Sequence, residues 1–201
     1  MELLNSNTVA SYLVHRGVIA NTENLIIEEL SGGVSNIVLA VTNSEVDLVL
    51  KQALPELKVQ TKWVADQRRA IVEANAIKLF HSISPNHVPR LIDSDPELFT
   101  LTIQRAPHTS QVWKTELLAG RINSRIGFEL GKILASWHNY GELNIESAEQ
   151  FDEDSLFDQL RIDPFYREIR LMNPSLALGI SDLIAQLQDG KSTIVHGDFS
   201  P

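Results

Sequence analysis

The sequence has no cysteine, which excludes a disulfide framework and any thiolate metal centre. It also lacks a long apolar run. Nothing approaches the roughly 20 apolar residues that a membrane-spanning helix needs, and the opening stretch MELLNSNTVASYLVHRG has no basic start followed by an apolar core of the secretory kind. A cytoplasmic protein without a membrane partner is the expectation. Positive charge is scarce as well: 17 Lys and Arg against 26 Asp and Glu give a formal charge of −9. That balance argues against nucleic acid or an anionic membrane as the main partner. What is present is an ordinary globular composition, 43% hydrophobic and 21% charged over 201 residues, enough for one domain or two small lobes.

Periodicity changes along the chain. Asn7 to His15 reads as a short helix with Val9, Tyr12 and Leu13 on one face and Asn5, Ser6 or Asn7 as its cap. NLIIEEL, NIVLAVT and VDLVLKQ then read as three strands, and their short joints SGGVS and NSE allow only antiparallel pairing over residues 24 to 52. The spacing of Val72, Ala76, Leu79 and Phe80 predicts a helix from about Val64 to His81. HVPRLIDSD and LFTLTIQRA predict two more strands with Ser94, Asp95 and Pro96 in the turn between them.

From Trp113 the pattern is mainly helical. The clearest helix runs from about Asn123 to Asn139, with Ile126, Leu130, Ile133, Leu134 and Trp137 on one face and Gly127 and Gly131 placed for a close approach. An acidic stretch over 142–160 reads as surface. Two further helical runs surround Asn173–Pro174, and Thr193 to Val195 read as the end of a buried strand. Strands, a helix, two more strands and then helices make an α+β fold, and exclude the alternating order of a doubly wound sheet.

Few residues carry chemistry. Gly32 and Gly33 lie between two antiparallel strands, where they suit either a hairpin needing positive φ or a turn whose N–H groups cover phosphates. Lys51 lies in LVLKQAL, among buried-type residues; it either extends its head to the strand end or requires an anionic partner. Glu73, on the following helix beside Ala70, Ala76, Ile77 and Phe80, is either a solvated glutamate or that partner. His196, Gly197 and Asp198 form HGD at the expected strand exit, where the histidine suits packing and the aspartate suits a turn or proton acceptance from a hydroxyl.

Taken in order, glycine turn, strand lysine, helix glutamate, two strands, long helix and HGD resemble the aminoglycoside phosphotransferase superfamily of kinase-like small-molecule phosphotransferases. LVLKQALPELKV followed by RAIVEANAIKLF looks most like its methylthioribose kinase branch, LGKILASWHN is similar to the helix before the catalytic loop, and IVHGDFSP is similar to the start of that loop. The resemblance covers residues 24 to 201. It implies a protein-kinase-like two-lobe fold: an antiparallel-sheet nucleotide-binding lobe over 1–106, then a partial, mainly helical lobe over 107–201.

It implies that Lys51 holds the phosphates of ATP, that Glu73 orients Lys51, and that Gly32 and Gly33 lie over the phosphates. The backbone of Gln104, Arg105 and Ala106 would receive adenine. Asp198 would be the catalytic base and His196 a structural member of its loop. The family's loop asparagine, five positions after the aspartate, would fall two residues past Pro201, with the Mg2+-binding aspartate further on. The implied activity is phosphoryl transfer from ATP to a hydroxyl of a small molecule, and this chain is expected to be cut inside the catalytic loop and inactive by itself. Aminoglycosides, methylthioribose, choline-like amines, amino alcohols and sugars are all open as acceptors. The alternative is a non-catalytic nucleotide-binding or regulatory module of the same fold.

Overall fold

The computed structural model describes residues 2–30, 33–60 and 62–199. The chain divides into two compact units, Met1–His108 and Thr109–Pro201. The first holds a five-stranded sheet of β1 (Ile26–Glu29), β2 (Asn36–Thr42), β3 (Asp47–Ala53), β4 (Leu91–Asp95) and β5 (Thr100–Gln104). Their order is β1-β2-β3-β5-β4 and every pairing is antiparallel. The three-strand meander expected over residues 24 to 52 is present, with Ile26 opposite Thr42 and Asn36 opposite Ala53.

Alternation along β3 organises this unit. Successive side chains of a strand point to opposite faces, so Leu48, Leu50 and Gln52 share one face while Val49, Lys51 and Ala53 share the other. Pairing puts Leu39 and Val41 beside Leu50 and Leu48. Against them pack Val9 and Leu13 of helix α1 (Val9–His15), with Leu4 and Ile19. Leu13, Leu39 and Leu50 are completely buried, and burial of each contributes about 1.5–3 kcal/mol. On the opposite face Ala53 and Leu101 pack with Ala70 and Ala74 of helix α2 (Arg69–Ile83), joined by Ile77 and Ile103.

Gln52 is fully buried but fully engaged. Its Oε1 accepts from Leu4 N–H at 2.8 Å, and its Nε2 donates to the Glu2 and Leu98 carbonyls, both at 3.1 Å. A core amide whose oxygen and both N–H groups are bonded fixes the N-terminal segment to the sheet.

Several boundaries differ from the periodicity; α1 begins at Val9, and the long helix from Ser124 runs on to Leu143. Helix α2 starts at Arg69 because Val64 bridges Glu56 and the Arg68 N–H donates to Asp66 Oδ1, which holds the preceding residues outside the helix. Its buried apolar side chains are Ala70, Ala74 and Phe80, with Ile77 partly buried beside them; of the expected stripe of Val72, Ala76, Leu79 and Phe80, only Phe80 is buried. Ser94 belongs to β4 and the turn occupies 96–99, since Asp95 Oδ1 accepts from the Glu97 and Leu98 N–H groups. Thr193 to Val195 form no strand; Ile194 is buried, whereas Val195 is exposed.

The second unit is helical. Its principal helices are α3 (Trp113–Leu118), α4 (Ser124–Leu143), α5 (Ile145–Glu149), α6 (Asp154–Phe157), α7 (Glu168–Met172) and α8 (Ala177–Asp189), with wide helical turns at Asp158–Arg167. Asn123 caps α4 by accepting from the Arg125 N–H. Buried apolar side chains are few here: Trp137, Leu156, Ile162, Ile184 and Ile194. Gly127 and Gly131 have open space where a Cβ would be, so neither serves a close approach. Gly141 does. A Cβ there would meet Thr193 Oγ1 at 2.6 Å and Ile194 N at 2.8 Å.

Helix α1 is also docked by polar contacts on the sheet face that carries Thr100 and Thr102. The Tyr12 hydroxyl donates to Asp95 Oδ2 at 2.8 Å and lies 2.8 Å from Thr100 Oγ1. Arg16 forms two bonds with the Asp93 carboxylate, both 2.9 Å, and reaches the Ser94 carbonyl. Burial pushes the Tyr12 phenol up to about 12, with the Thr100 bond opposing and the Asp95 bond and charge adding to the rise. Burial also pushes Asp95 upward. The Glu97 N–H, the Tyr12 hydroxyl, the Leu98 N–H and the Arg16 charge together outweigh it and hold Asp95 below the usual carboxylate range.

A raised phenol pKa stabilises the folded state fully below the unfolded value near pH 10, and that contribution is lost as pH rises through about 12. Asp95 works in the opposite sense: its contribution is present above the unfolded carboxylate value and is lost as pH falls. Tyr12→Phe is therefore expected to lower stability at neutral pH by about 1 kcal/mol and to flatten the alkaline decline between pH 10 and 12. Urea midpoints measured across that range check this; an unchanged alkaline slope contradicts it.

Candidate functional site

The alternation that buries Leu50 and Gln52 on one face directs Lys51 to the face covered by α2. Lys51 lies opposite Val38 on β2 and Leu101 on β5, away from both sheet edges. Glu73 lies one helical turn into α2, and its Oε1 accepts a hydrogen bond from Lys51 Nζ. The two side chains remain 24% and 36% exposed. An ion pair that is open to water to this extent adds less than about 1 kcal/mol to stability. Its main consequence is geometric. An ammonium has three N–H donors, so the bond to Glu73 leaves two for other acceptors.

Arg69, four residues before Glu73, is marked by no pattern in the sequence. It is only 9% exposed. Its Nη2 donates to the Ser35 and Leu54 carbonyls, each at 2.6 Å, and its Nη1 donates to the Ala65 and Asp66 carbonyls at 3.0 and 3.1 Å. Its Nε–H has no partner among the described residues. Burial pushes the guanidinium pKa down, opposed by the charges of Glu73 and Asp66. A basic residue opening a helix after QR in ADQRRA carries no sequence signal of burial, because Lys and Arg are mostly exposed.

The segment between β1 and β2 is described only in part. Gly32 lies outside the described residues. Gly33 is exposed, its φ is not in the left-handed region, and a Cβ would have open space, so positive φ is not its reason for being glycine. Val34 and Ser35 are tied across to the residues after β3: Leu54 N–H donates to Ser35 O at 3.0 Å and Lys58 N–H to Val34 O at 2.8 Å. At the other end of β5, the Gln104 N–H donates to the Arg90 carbonyl and the Arg105 N–H to the Asp47 carbonyl. Two of the amides expected to face adenine therefore already have partners, while Ala106 is exposed.

In the second unit the HGD segment lies outside helix and strand and is carried on α4. Thr193 Oγ1 donates to the His138 carbonyl at 2.5 Å, next to the bare backbone of Gly141. Gly197 has φ of 75°, the left-handed region that favours glycine. The His196 ring stacks on Trp137 with centroids 6.4 Å apart and meets Phe199 edge-on at 5.5 Å. His196 is nonetheless exposed, and its Nδ1 accepts from the Asp198 N–H at 3.3 Å. Asp198 is exposed, and its Oδ2 lies 3.1 Å from Arg161 Nη2, while Arg161 Nε donates to the Gly197 carbonyl at 2.5 Å. Arg161, too, has no mark in the sequence; it lies in the wide helical turns at Asp158–Arg167, far from HGD along the chain. Among the described residues no group of three or more His, Asp or Glu side chains is placed to hold a metal ion. Among them, too, no helix is long and apolar enough to cross a membrane.

Comparison with known proteins bears on this arrangement. The chain is 26% identical to the methylthioribose kinase of one Bacillus cereus strain, over 98% of this chain and 56% of that protein. It is 25% identical to that of a second Bacillus cereus strain and 24% identical to that of a Bacillus anthracis strain, over the same shares. The chain spans about half the length of the curated relatives it matches. No protein-family model matches it. The likeness supports a kinase-like superfamily, and the α+β architecture with its five-stranded antiparallel sheet is compatible with a kinase-like fold.

Gly141→Ala is expected to push the Thr193–Ile194 backbone off α4, because both contacts lie below 3.0 Å. Overpacking of this kind costs about 1–3 kcal/mol. Urea unfolding should show that loss, and the near-ultraviolet circular dichroism of Trp137, stacked on His196, should change with it. An unaltered aromatic signal contradicts the close approach.

Proposed function

We propose that this chain belongs to the aminoglycoside phosphotransferase superfamily, on its methylthioribose kinase side, and carries the nucleotide-phosphate clamp and HGD aspartate of an ATP-dependent small-molecule kinase. The observation that supports this most is the Lys51–Glu73 pair, a strand lysine aimed by a helix carboxylate beside the β1–β2 connection. In this reading the units Met1–His108 and Thr109–Pro201 are the nucleotide-binding lobe and part of the helical lobe.

Lys51 donates its two remaining N–H groups to the α- and β-phosphates of ATP, and Glu73 fixes its head so that it gains little freedom when the nucleotide leaves. Gly33, exposed and with open space at its Cβ position, lets backbone N–H groups approach the phosphates. Gln104, Arg105 and Ala106 line the adenine side, with Ala106 best placed to offer its backbone, since the Gln104 and Arg105 amides are engaged. Asp198 accepts the proton of the acceptor hydroxyl as that oxygen bonds to the γ-phosphorus and the bond to ADP breaks. His196 keeps the loop in place by stacking on Trp137. A divalent ion serves kinases in general, but the described residues form no ligand set for one. Methylthioribose, named for the relatives, is the first acceptor to test among small hydroxyl compounds.

One observation favours a second reading, a nucleotide-binding or regulatory module without transfer. The carboxylate that would accept the proton is paired with Arg161 at 3.1 Å. Turnover separates the two. With the full gene product, ADP release is measured against a panel of methylthioribose, aminoglycosides, amino alcohols and sugars. Lys51→Ala should raise KM for ATP about tenfold or more and change the acceptor KM little. Asp198→Asn should lower kcat by about 10²–10⁴ while leaving ATP affinity largely intact. Equal rates for Asp198→Asn and the parent remove Asp198 as base; ATP binding without turnover on any acceptor favours the module.

A further inference from the structure

We infer that Arg69 is a positioning residue that couples the β1–β2 connection to the Lys51–Glu73 pair, so that the backbone over the phosphates and the ammonium below them are set by one turn of α2. The inference rests on the nucleotide-binding reading above. It starts from a buried guanidinium that holds four main-chain carbonyls from three separate stretches of chain. These are Ser35 at the entry to β2, Leu54 at the exit of β3, and Ala65 and Asp66 before α2. Glu73 follows Arg69 by four residues, the spacing that places two side chains on the same helical face, and its charge acts on Arg69.

Four considerations make this more than a helix anchor. Ser35 O accepts from Arg69 and from Leu54 N–H, so the end of the glycine-bearing segment is bonded twice at one atom. Val34 O accepts from Lys58 N–H, which ties the adjoining residue to the same stretch after β3. Leu54 follows Lys51 by three residues, so the strand that carries the ammonium is gripped by the same guanidinium. Finally, only a planar fork reaches Ser35 and Leu54 together from one nitrogen while its second nitrogen serves Ala65 and Asp66; a lysine ammonium keeps the charge and loses that geometry.

The test compares wild type and Arg69→Lys for ATP by isothermal titration and for adenosine by saturation-transfer NMR. Arg69→Lys should weaken ATP about tenfold and leave adenosine within about twofold, because the lost geometry lies at the phosphates. Equal weakening of ATP and adenosine, or unchanged ATP affinity in a folded variant, overturns the inference. A wild-type chain that binds no ATP overturns the nucleotide reading itself and this inference with it. Should Arg69→Lys fail to fold, hydrogen exchange on the wild type decides. ATP should slow exchange of the Leu54 and Lys58 amides, which bond to Ser35 and Val34; exchange at both unchanged by saturating ATP overturns the coupling.

Discussion

A lysine on a covered sheet face needs an anion within reach, and in this chain the anion is Glu73. Both side chains stay partly open to water, so what the pair sets is geometry: the ammonium lies away from the sheet edges, where the carboxylate delivered by α2 meets it. That geometry fixes a good deal else. Lys51 must lie out of phase with Leu50 and Gln52, which bury against α1 and the N-terminal segment. Helix α2 must begin late enough for Ala70, Ala74 and Ile77 to bury while Glu73 faces the strand. Arg69 secures that start by holding carbonyls of the segment just before it and of the chain flanking β2 and β3.

The second unit solves a different problem, the support of an irregular segment that pairs with no strand among the described residues. It uses close contact with a helix in place of a ladder. Gly141 removes the side chain that would block Thr193 and Ile194, Trp137 gives His196 a ring to stack on, and Arg161 grips the Gly197 carbonyl and the Asp198 carboxylate. The unit buries few side chains for its size, and Leu118, Ile122, Leu143 and Leu178 are more than four-fifths exposed.

What was legible in the sequence follows from the range of the interactions involved. The antiparallel meander could be read because short joints permit no other pairing, and α4 could be read from its apolar stripe; its Asn123 cap is seen only in the structure. Lys51 and Glu73 were visible as a polar pair in apolar surroundings. The start of α2 was misread because the bridge from Glu56 to Val64 is a tertiary contact that no local period reports. Thr193 to Val195 look like a strand by composition, yet β propensity describes a fit to a pleated surface, and here the surface is a helix. Arg69 and Arg161 escaped because a guanidinium's role depends on carbonyls and carboxylates distant in sequence; Gly141 escaped because it lies past Asn139, where the helix was expected to end, whereas Gly127 and Gly131, expected to serve a close approach, have open space.

The central claim is that the Lys51 ammonium, aimed by Glu73, awaits the phosphates of a nucleotide. Phosphorus NMR of ATP titrated with the protein reads this directly, because each phosphate gives its own resonance. The α- and β-phosphate resonances should shift on binding, and should return toward their free positions when Glu73→Gln is used in place of the wild type. If all three resonances stay at their free positions, or if Glu73→Gln shifts them as fully as the wild type does, the Lys51–Glu73 pair is not a phosphate clamp.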